Sequence, residues 1–369
     1  MSRFLQLHVL TSYPAVNLNR DDTGRPKTLV YGGADRLRIS SQSLKRAWRT
    51  APEFAQILGV KAIGARTQEF AHSLRRTLVK DRGLDKEEAN KRIRQVIVDN
   101  KLGKLEAKSK DSKEEPIETN QLVHLGGDEL AALEGLADRI LDNSPPDKPD
   151  KKEMLILQQH PKAADIALFG RMLAENTAFN VEAAAQVAHA FTTHRVTVED
   201  DFYTAVDDLK AKRPGADAGA GFVGVFEFGS GVFYHYANVN LDLLLENLEC
   251  DDVLAAKALE GLVTAMAVAN PKGKQNATAA RARAGFVLAE IGERAPRSLA
   301  EAFLKPVLPR DEEDLLAVSV EALLKKRGEI DGAYGKCWED QRQMQVGGEG
   351  SLAEIVTFAH GLVAPDPLA

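Results

Sequence analysis

The sequence predicts an α+β protein, in which strands and helices share a core interrupted by a long helical insertion and an extended hairpin. Three observations predict it. Short apolar or alternating runs near the start, middle and end of the chain read as strands, and a long stretch between the first two has helical period. A Gly/Ala-rich segment poor in core formers separates two of the later strands. No internal repeat is evident.

Phe4 to Leu10 (FLQLHVL) is apolar and bounded by polar residues, which reads as a buried strand. Residues 11–27 (TSYPAVNLNRDDTGRPK) hold Pro14, Gly24, Pro26 and paired aspartates, so they read as loop. Leu37 and Ile39 alternate with Arg36 and Arg38 in a short extended segment, which leads to Ser40 and Ser41, both good helix N-caps. At about 100° per residue, Leu44, Ala47 and Trp48 form a narrow apolar face. Gln42, Lys45, Arg46 and Arg49 fill one arc opposite it. From Pro52 to about Asn100, FAHSLRRTLV and ANKRIRQVIV place apolar residues three and four apart, as in helices. Residues 101–120 carry ten charged side chains of both signs and read as a solvated connection. ELAALEGLADRIL gives a further helix, and DNSPPDKPDKKE (142–153) a second exposed connection. The helical insertion is therefore placed at 59–181. Strand alternation returns in QVAHAFTTHRV (186–196) and GVFYHYANVNL (231–241), with RPGADAGAGFVG (213–224) between them as the mobile tip of a hairpin. AARARAGFVLAEI (279–291) is another strand, and the tail from about Ser298 reads as mostly helical.

Composition, 44% hydrophobic and 28% charged over 369 residues, describes a soluble globular protein. No run approaches the roughly 20 apolar residues of a membrane helix, and MSRFLQLHVL has no leader-like pattern, so the cytoplasm is expected. Cys250 and Cys337 form neither a disulfide framework nor a zinc-site pair and read as reduced. The formal charge of −6 is unevenly distributed. Residues 1–50 carry nine Lys/Arg against three Asp, a net of +6, which leaves −12 for the remainder. Such asymmetry points to a polyanion bound locally.

The densest basic stretch is RLRISSQSLKRAWR (36–49), with five cations and no acid. Serine donors at a helix start would add to its grip on phosphate. Lys45 and Arg49, four apart, repel by a few tenths of a kcal/mol in an isolated helix, a cost that a bound phosphate would reverse. A second basic stretch, NPKGKQNATAARARAG (270–285), holds Lys272, Lys274, Arg281 and Arg283, with Gly273 permitting close backbone approach to a ligand. Tyr234 and Tyr236 share a strand face with Asn238 and Asn240, which suits either base stacking or core packing. Phosphate-loop, nucleophile-elbow and zinc-protease motifs are missing, and His189 and His194 alternate with apolar residues as structural histidines would. No catalysis, cofactor or metal is expected.

Several motifs together resemble one family. LNRDD (18–22), GG followed by RLRISSQSLKRAWR (32–49), DIALFGRM (165–172), AHAFTTHRV with FYTAVDDL (188–209) and EFGSGVFYHYANVNL (227–241) are similar to the CasC-type backbone subunits of the type I-E CRISPR Cascade. The resemblance implies a modified RNA-recognition-motif (ferredoxin-like) palm with a helical fingers insertion and an extended thumb hairpin. The divisions are 1–58 palm, 59–181 fingers, 182–194 palm strand, 195–226 thumb and 227–369 the remaining palm with C-terminal helices. It implies a non-enzymatic, sequence-independent guide-RNA (crRNA) scaffold for antiviral defence, which multimerises along the guide and presents it for pairing with target DNA. Its partners would be the guide RNA, the target DNA, further copies of itself and other Cascade subunits, with no membrane.

Asn19, Arg20, Lys27, Arg38, Ser40, Gln42, Lys45, Arg46 and Arg49 are implied RNA contacts, with Lys272 and Lys274 from the second basic stretch. Met172, Phe202 and Tyr203 are the implied wedge at displaced bases. The aromatic signature of ordinary RNA-recognition motifs is missing, so the expectation is backbone gripping that leaves sequence to base pairing. Two rivals are a ribonuclease like type III backbone subunits, with Asp35 as its only candidate acid, and a free-standing RNA-binding regulator.

Overall fold

The computed structural model describes residues 2–106, 116–142, 155–205, 222–309 and 313–363. Its strands in chain order are β1 (Phe4–Val16), β2 (Thr28–Tyr31), β3 (Ala34–Ile39), β4 (Ala65–Thr67), β5 (Val123–Leu125), β6 (Ala185–Val187), β7 (Ala190–Thr192), β8 (Glu199–Ala205), β9 (Phe222–Asn240), β10 (Ala284–Gly292) and β11 (Asp340–Gln345). The described residues divide into two compact units, one drawn from Met1–Ala51, Val187–Asn238 and Leu262–Ala359, the other from Pro52–Gln186, Val239–Gly261 and His360–Ala369.

The first unit is built on a mixed-length sheet ordered β11-β10-β1-β9-β7-β3-β2. The β1–β10, β10–β11, β2–β3, β3–β7 and β7–β9 pairs whose registers are resolved are antiparallel. Every residue of β10 is buried, so the middle of the sheet is covered on both faces. Leu10, Tyr234, Phe286 and Leu288 supply one face of the core, against Phe303 and against Leu323 of the helix Leu315–Tyr334. Each such side chain contributes about 1.5–3 kcal/mol relative to exposure. Several polar groups inside this core pair with one another. Gln6 Oε1 accepts from the Arg297 amide at 2.7 Å, His8 Nδ1 lies 2.9 Å from the Tyr234 hydroxyl, and Glu290 is clasped by Arg297 at 2.5 Å and Arg327 at 2.6 Å.

Three sequence expectations are corrected here. β1 continues past Leu10 to Val16, because Thr11, Tyr13 and Val16 point inward while Ser12 and Pro14 point out, so Pro14 is tolerated at an outward position. The C-terminal tail contains a strand as well as helices, since β11 pairs with β10 although its DQRQMQ sequence shows no apolar alternation. Tyr234 and Tyr236 are 1% and 8% exposed, which settles their role as core packing and removes the base-stacking alternative.

β9 is the longest strand, and its first seven residues leave the main sheet as a two-stranded ribbon with β8, in register from Ala205↔Phe222 to Glu199↔Phe228. All of β8 is exposed. Most of the tip expected at 213–224 lies outside the described residues.

The second unit is mainly helical. Its core gathers Phe70, Leu74, Leu78, Ile93, Ile97 and Leu136 with other apolar residues between positions 70 and 173. The helix Lys86–Asp99 shows why: Asp85 caps it by accepting from the Glu87 and Glu88 amides, and Ala89, Ile93, Val96 and Ile97 fall on one buried stripe. Parts of the charged connections expected at 101–120 and 142–153 lie outside the described residues. Among the described residues no helix is long and apolar enough to cross a membrane.

Candidate nucleic-acid interface

The site grows from the junction between β3 and the helix α1 (Ser41–Arg49). Leu44 and Trp48, each 1% exposed, anchor α1, as the apolar face of its sequence predicts. Gln42 and Arg46 are exposed on its outer side, while Lys45 and Arg49 are half-buried and already engaged in interactions within the protein. Burial pushes the Lys45 ammonium below its ordinary pKa, so a phosphate arriving there would restore lost solvation.

At the start of α1 Ser40 is the N-cap, as its sequence predicts, and the Ser40 and Ser41 amides are already used within the protein. Ser40 Oγ accepts from the Ser43 amide at 3.4 Å, the Ser40 amide donates to Asn19 Oδ1 at 2.8 Å, and the Ser41 amide donates to His189 Nδ1 at 2.9 Å. These donors therefore cap and brace the helix from within the protein, and the Ser40 hydroxyl works as a cap. Arg36 departs from the sequence expectation. Fully buried, it donates from Nη1 to the Thr192 carbonyl at 2.9 Å and from Nη2 to the Phe303 carbonyl at 2.8 Å, so it ties strands together and adds nothing to the surface charge.

Two loops join this junction. In the first, Asp21 Oδ1 accepts from Thr23 Oγ1 and from the Thr23 and Arg25 amides, which holds a tight turn and keeps the Asp21 carboxyl below its usual range. The Lys27 amide donates to the Asn19 carbonyl and the Arg38 amide to the Lys27 carbonyl, placing Asn19, Lys27 and Arg38 side by side. The second is the basic loop around Gly273. A Cβ on Gly273 would come within 2.3 Å of the Leu18 carbonyl oxygen and 2.6 Å of that of Asn17. Its close approach is thus to the first loop's own backbone, so the second basic stretch meets the loop of residues 17–27 in space. Lys274 Nζ lies 5.3 Å from the centroid of Phe226 at the base of the hairpin, continuing the surface toward β8 and β9.

Among the described residues, Arg20, Lys27, Arg38, Arg46 and Lys272 form no ion pair, and Arg38 Nε has no hydrogen-bond partner. Arg25 is different, donating from Nε to Glu227 Oε2 at 2.6 Å. His189, read from sequence as structural, stands in this cluster. Desolvation and the fields of Arg38 and Lys27 hold its pKa below the ordinary value. The strand register carried the missing signal, since Arg38↔Phe191 and Ile39↔Ala190 bring His189 to Ser40 at the next step.

Phe202 and Tyr203 lie on β8, 66% and 45% exposed, with the Tyr203 ring 6.1 Å from that of Phe222. Met172 belongs to the second unit and is 83% exposed. The residues flanking it are held rigidly. Arg171 Nη1 donates to both carboxylate oxygens of buried Glu129, at 2.8 and 2.7 Å, and Nη2 to the Gln158 carbonyl at 2.7 Å. The Leu173 amide donates to Asn180 Oδ1 at 2.6 Å. Asp35 is exposed and borders a cleft of about 490 Å³ lined also by Asp21, Arg25 and Arg195. Among the described residues no three His, Cys, Asp or Glu side chains group as a metal site.

A family model described as CT1975-like protein matches residues 5–356. A chain of the solved "CRISPR RNA-guided surveillance complex, pre-nicking" is 32% identical, with a TM-score of 0.81 over 98% of this chain and 99% of that chain. A chain of a second "CRISPR RNA-guided surveillance complex" is 27% identical, with a TM-score of 0.69 and the same coverage. No curated protein matches. With the family model spanning nearly the whole sequence and a solved relative superposing along it, the chain belongs to the CT1975-like protein family.

Proposed function

We propose that this chain is a cytoplasmic, non-enzymatic scaffold subunit of a CRISPR surveillance complex, which grips the backbone of a guide RNA without reading its sequence. One observation carries the reading: Arg20, Lys27, Arg38 and Arg46 have no ion pair among the described residues, and the loop carrying Lys272 packs on the Asn17–Leu18 backbone of the same basic N-terminal segment, in an otherwise acidic chain. Unpaired cations on a braced surface suit phosphates, which position a strand and carry no sequence information. The similarity to chains of two RNA-guided surveillance complexes supports the same partner class.

In this reading the sheet core ordered β10-β1-β9-β7 serves as a ferredoxin-like palm and the second unit as fingers. The β8–β9 ribbon is a thumb that reaches a neighbouring copy. Exposed Phe202 and Tyr203, with Met172, wedge where bases are displaced. Copies assemble side by side along the guide, with other Cascade subunits, and leave the remaining bases free to pair with target DNA.

The test is binding of single-stranded RNA of unrelated sequences at several salt concentrations. Log K should fall by about 0.7 per phosphate neutralised for each unit of log salt. Arg20→Ala, Lys27→Ala and Arg46→Ala together should weaken all sequences alike and flatten that slope, whereas an unchanged slope would remove the assignment. Complementary RNA incubated with the assembled complex and a divalent metal should stay intact. Periodic cleavage abolished by Asp35→Ala would transfer the proposal to the ribonuclease reading.

A further inference from the structure

We propose that His189 is a neutral hydrogen-bond donor to the sugar–phosphate backbone of the bound strand, a positioning residue at the β3–α1 junction. The proposal rests on the scaffold reading above and adds to it a contact that does not depend on charge.

The geometry determines the tautomer. His189 Nδ1 accepts the Ser41 amide hydrogen at 2.9 Å, so it cannot carry a proton without setting donor against donor. The ring proton therefore sits on Nε2. His189 is exposed, and with Nδ1 turned to the start of α1, the Nε2 edge is the part left to the surface. The charged groups bearing on the ring are Arg38 and Lys27, both without ion pairs among the described residues, and both oppose a third positive charge. The junction thus presents two cations and, on the β7 side of Arg38, a neutral N–H donor oriented by a backbone amide. A phosphate or ribose oxygen drawn in by Arg38 and Lys27 would meet that donor. Because Asn19 and His189 brace Ser40 and Ser41 respectively, the donor is tied to the same capped helix start that positions Gln42 and Arg46.

A neutral donor and an imidazolium predict different binding curves. Fluorescein-labelled single-stranded RNA is titrated with the full-length chain and with H189A, H189Q and H189F, at several salt concentrations and at pH values from 6 to 8. H189A should lose roughly five- to tenfold in affinity, the scale of one ordinary hydrogen bond. Its salt slope should match wild type, since no counterion is released by a neutral group. H189Q should recover most of the affinity, because an amide can accept from Ser41 and still donate outward. Wild-type affinity should not rise toward pH 6 beyond the rise seen in H189Q.

Thermal unfolding of each variant separates lost binding from a loosened helix. H189F keeps the ring's bulk without its nitrogens and replaces H189A where the latter is unstable. Wild-type affinity from H189A or H189F, no recovery in H189Q, or a steeper wild-type slope with tighter binding at low pH would each overturn the proposal. If Arg46→Ala still weakens binding in those cases, the scaffold reading survives. If wild type binds no RNA, both fall together.

Discussion

Individual side chains in this protein are decided by what they meet at long range. Arg36 and Arg38 are two residues apart in one basic run, yet Arg36 is buried against carbonyls 156 and 267 positions later, while Arg38 remains beside the outer cluster. Sequence can count such charges but cannot see the carbonyls. His235 makes a sharper residue-scale case. It is 3% exposed on β9, neither ring nitrogen has a partner among the described residues, and burial holds its pKa down at about 4. A folded-state value below the ordinary 6.5 means that stability is complete above pH 6.5 and declines as the pH falls toward 4. The penalty should approach about 3 kcal/mol at the acid end. Denaturant unfolding across that range should show it, and His235→Phe should flatten the profile; a variant as acid-sensitive as wild type would place the loss elsewhere. The outward face of α1 was legible because a helical wheel needs only local spacing. His189 was missed because alternation with apolar residues says nothing of the amide across the strand pair.

Elements show the same division between local and distant information. The hairpin was legible from its Gly/Ala-rich sequence, whereas β11, a polar edge strand, carries its only signal in pairing with β10. Phe202 and Tyr203 are exposed, so Phe202→Ala with Tyr203→Ala should move the melting temperature of the isolated chain by little. In the scaffold reading the same change should reduce assembly on RNA, measured by sedimentation with a guide of defined length. Buried pairs behave oppositely. Glu129→Ala would leave buried Arg171 charged without its carboxylate partner, and should cost about 3–5 kcal/mol in that unit's unfolding. The sequence read Arg171 only as part of the DIALFGRM match. Its role in holding the turn at Met172 depends on Glu129, 42 residues earlier.

For the molecule as a whole, the net of +6 in residues 1–50 against −12 elsewhere suits a protein that assembles on a polyanion without coating itself in one. Complexes formed on RNAs of increasing length should therefore gain whole copies in steps. A single copy per RNA at every length would favour the free-standing regulator. The α+β class was within reach of the sequence, but the meeting of the 17–27 loop with the second basic stretch was not, since no local pattern links positions 17–27 to 270–285. That meeting depends on Gly273 having no side chain. Gly273→Ala would change neither net charge nor any donor, yet it should push the second loop off Leu18 and weaken RNA binding. The substitution offers a way to switch the surface off by spacing alone, an instrument for asking how much of the grip is arrangement and how much is charge.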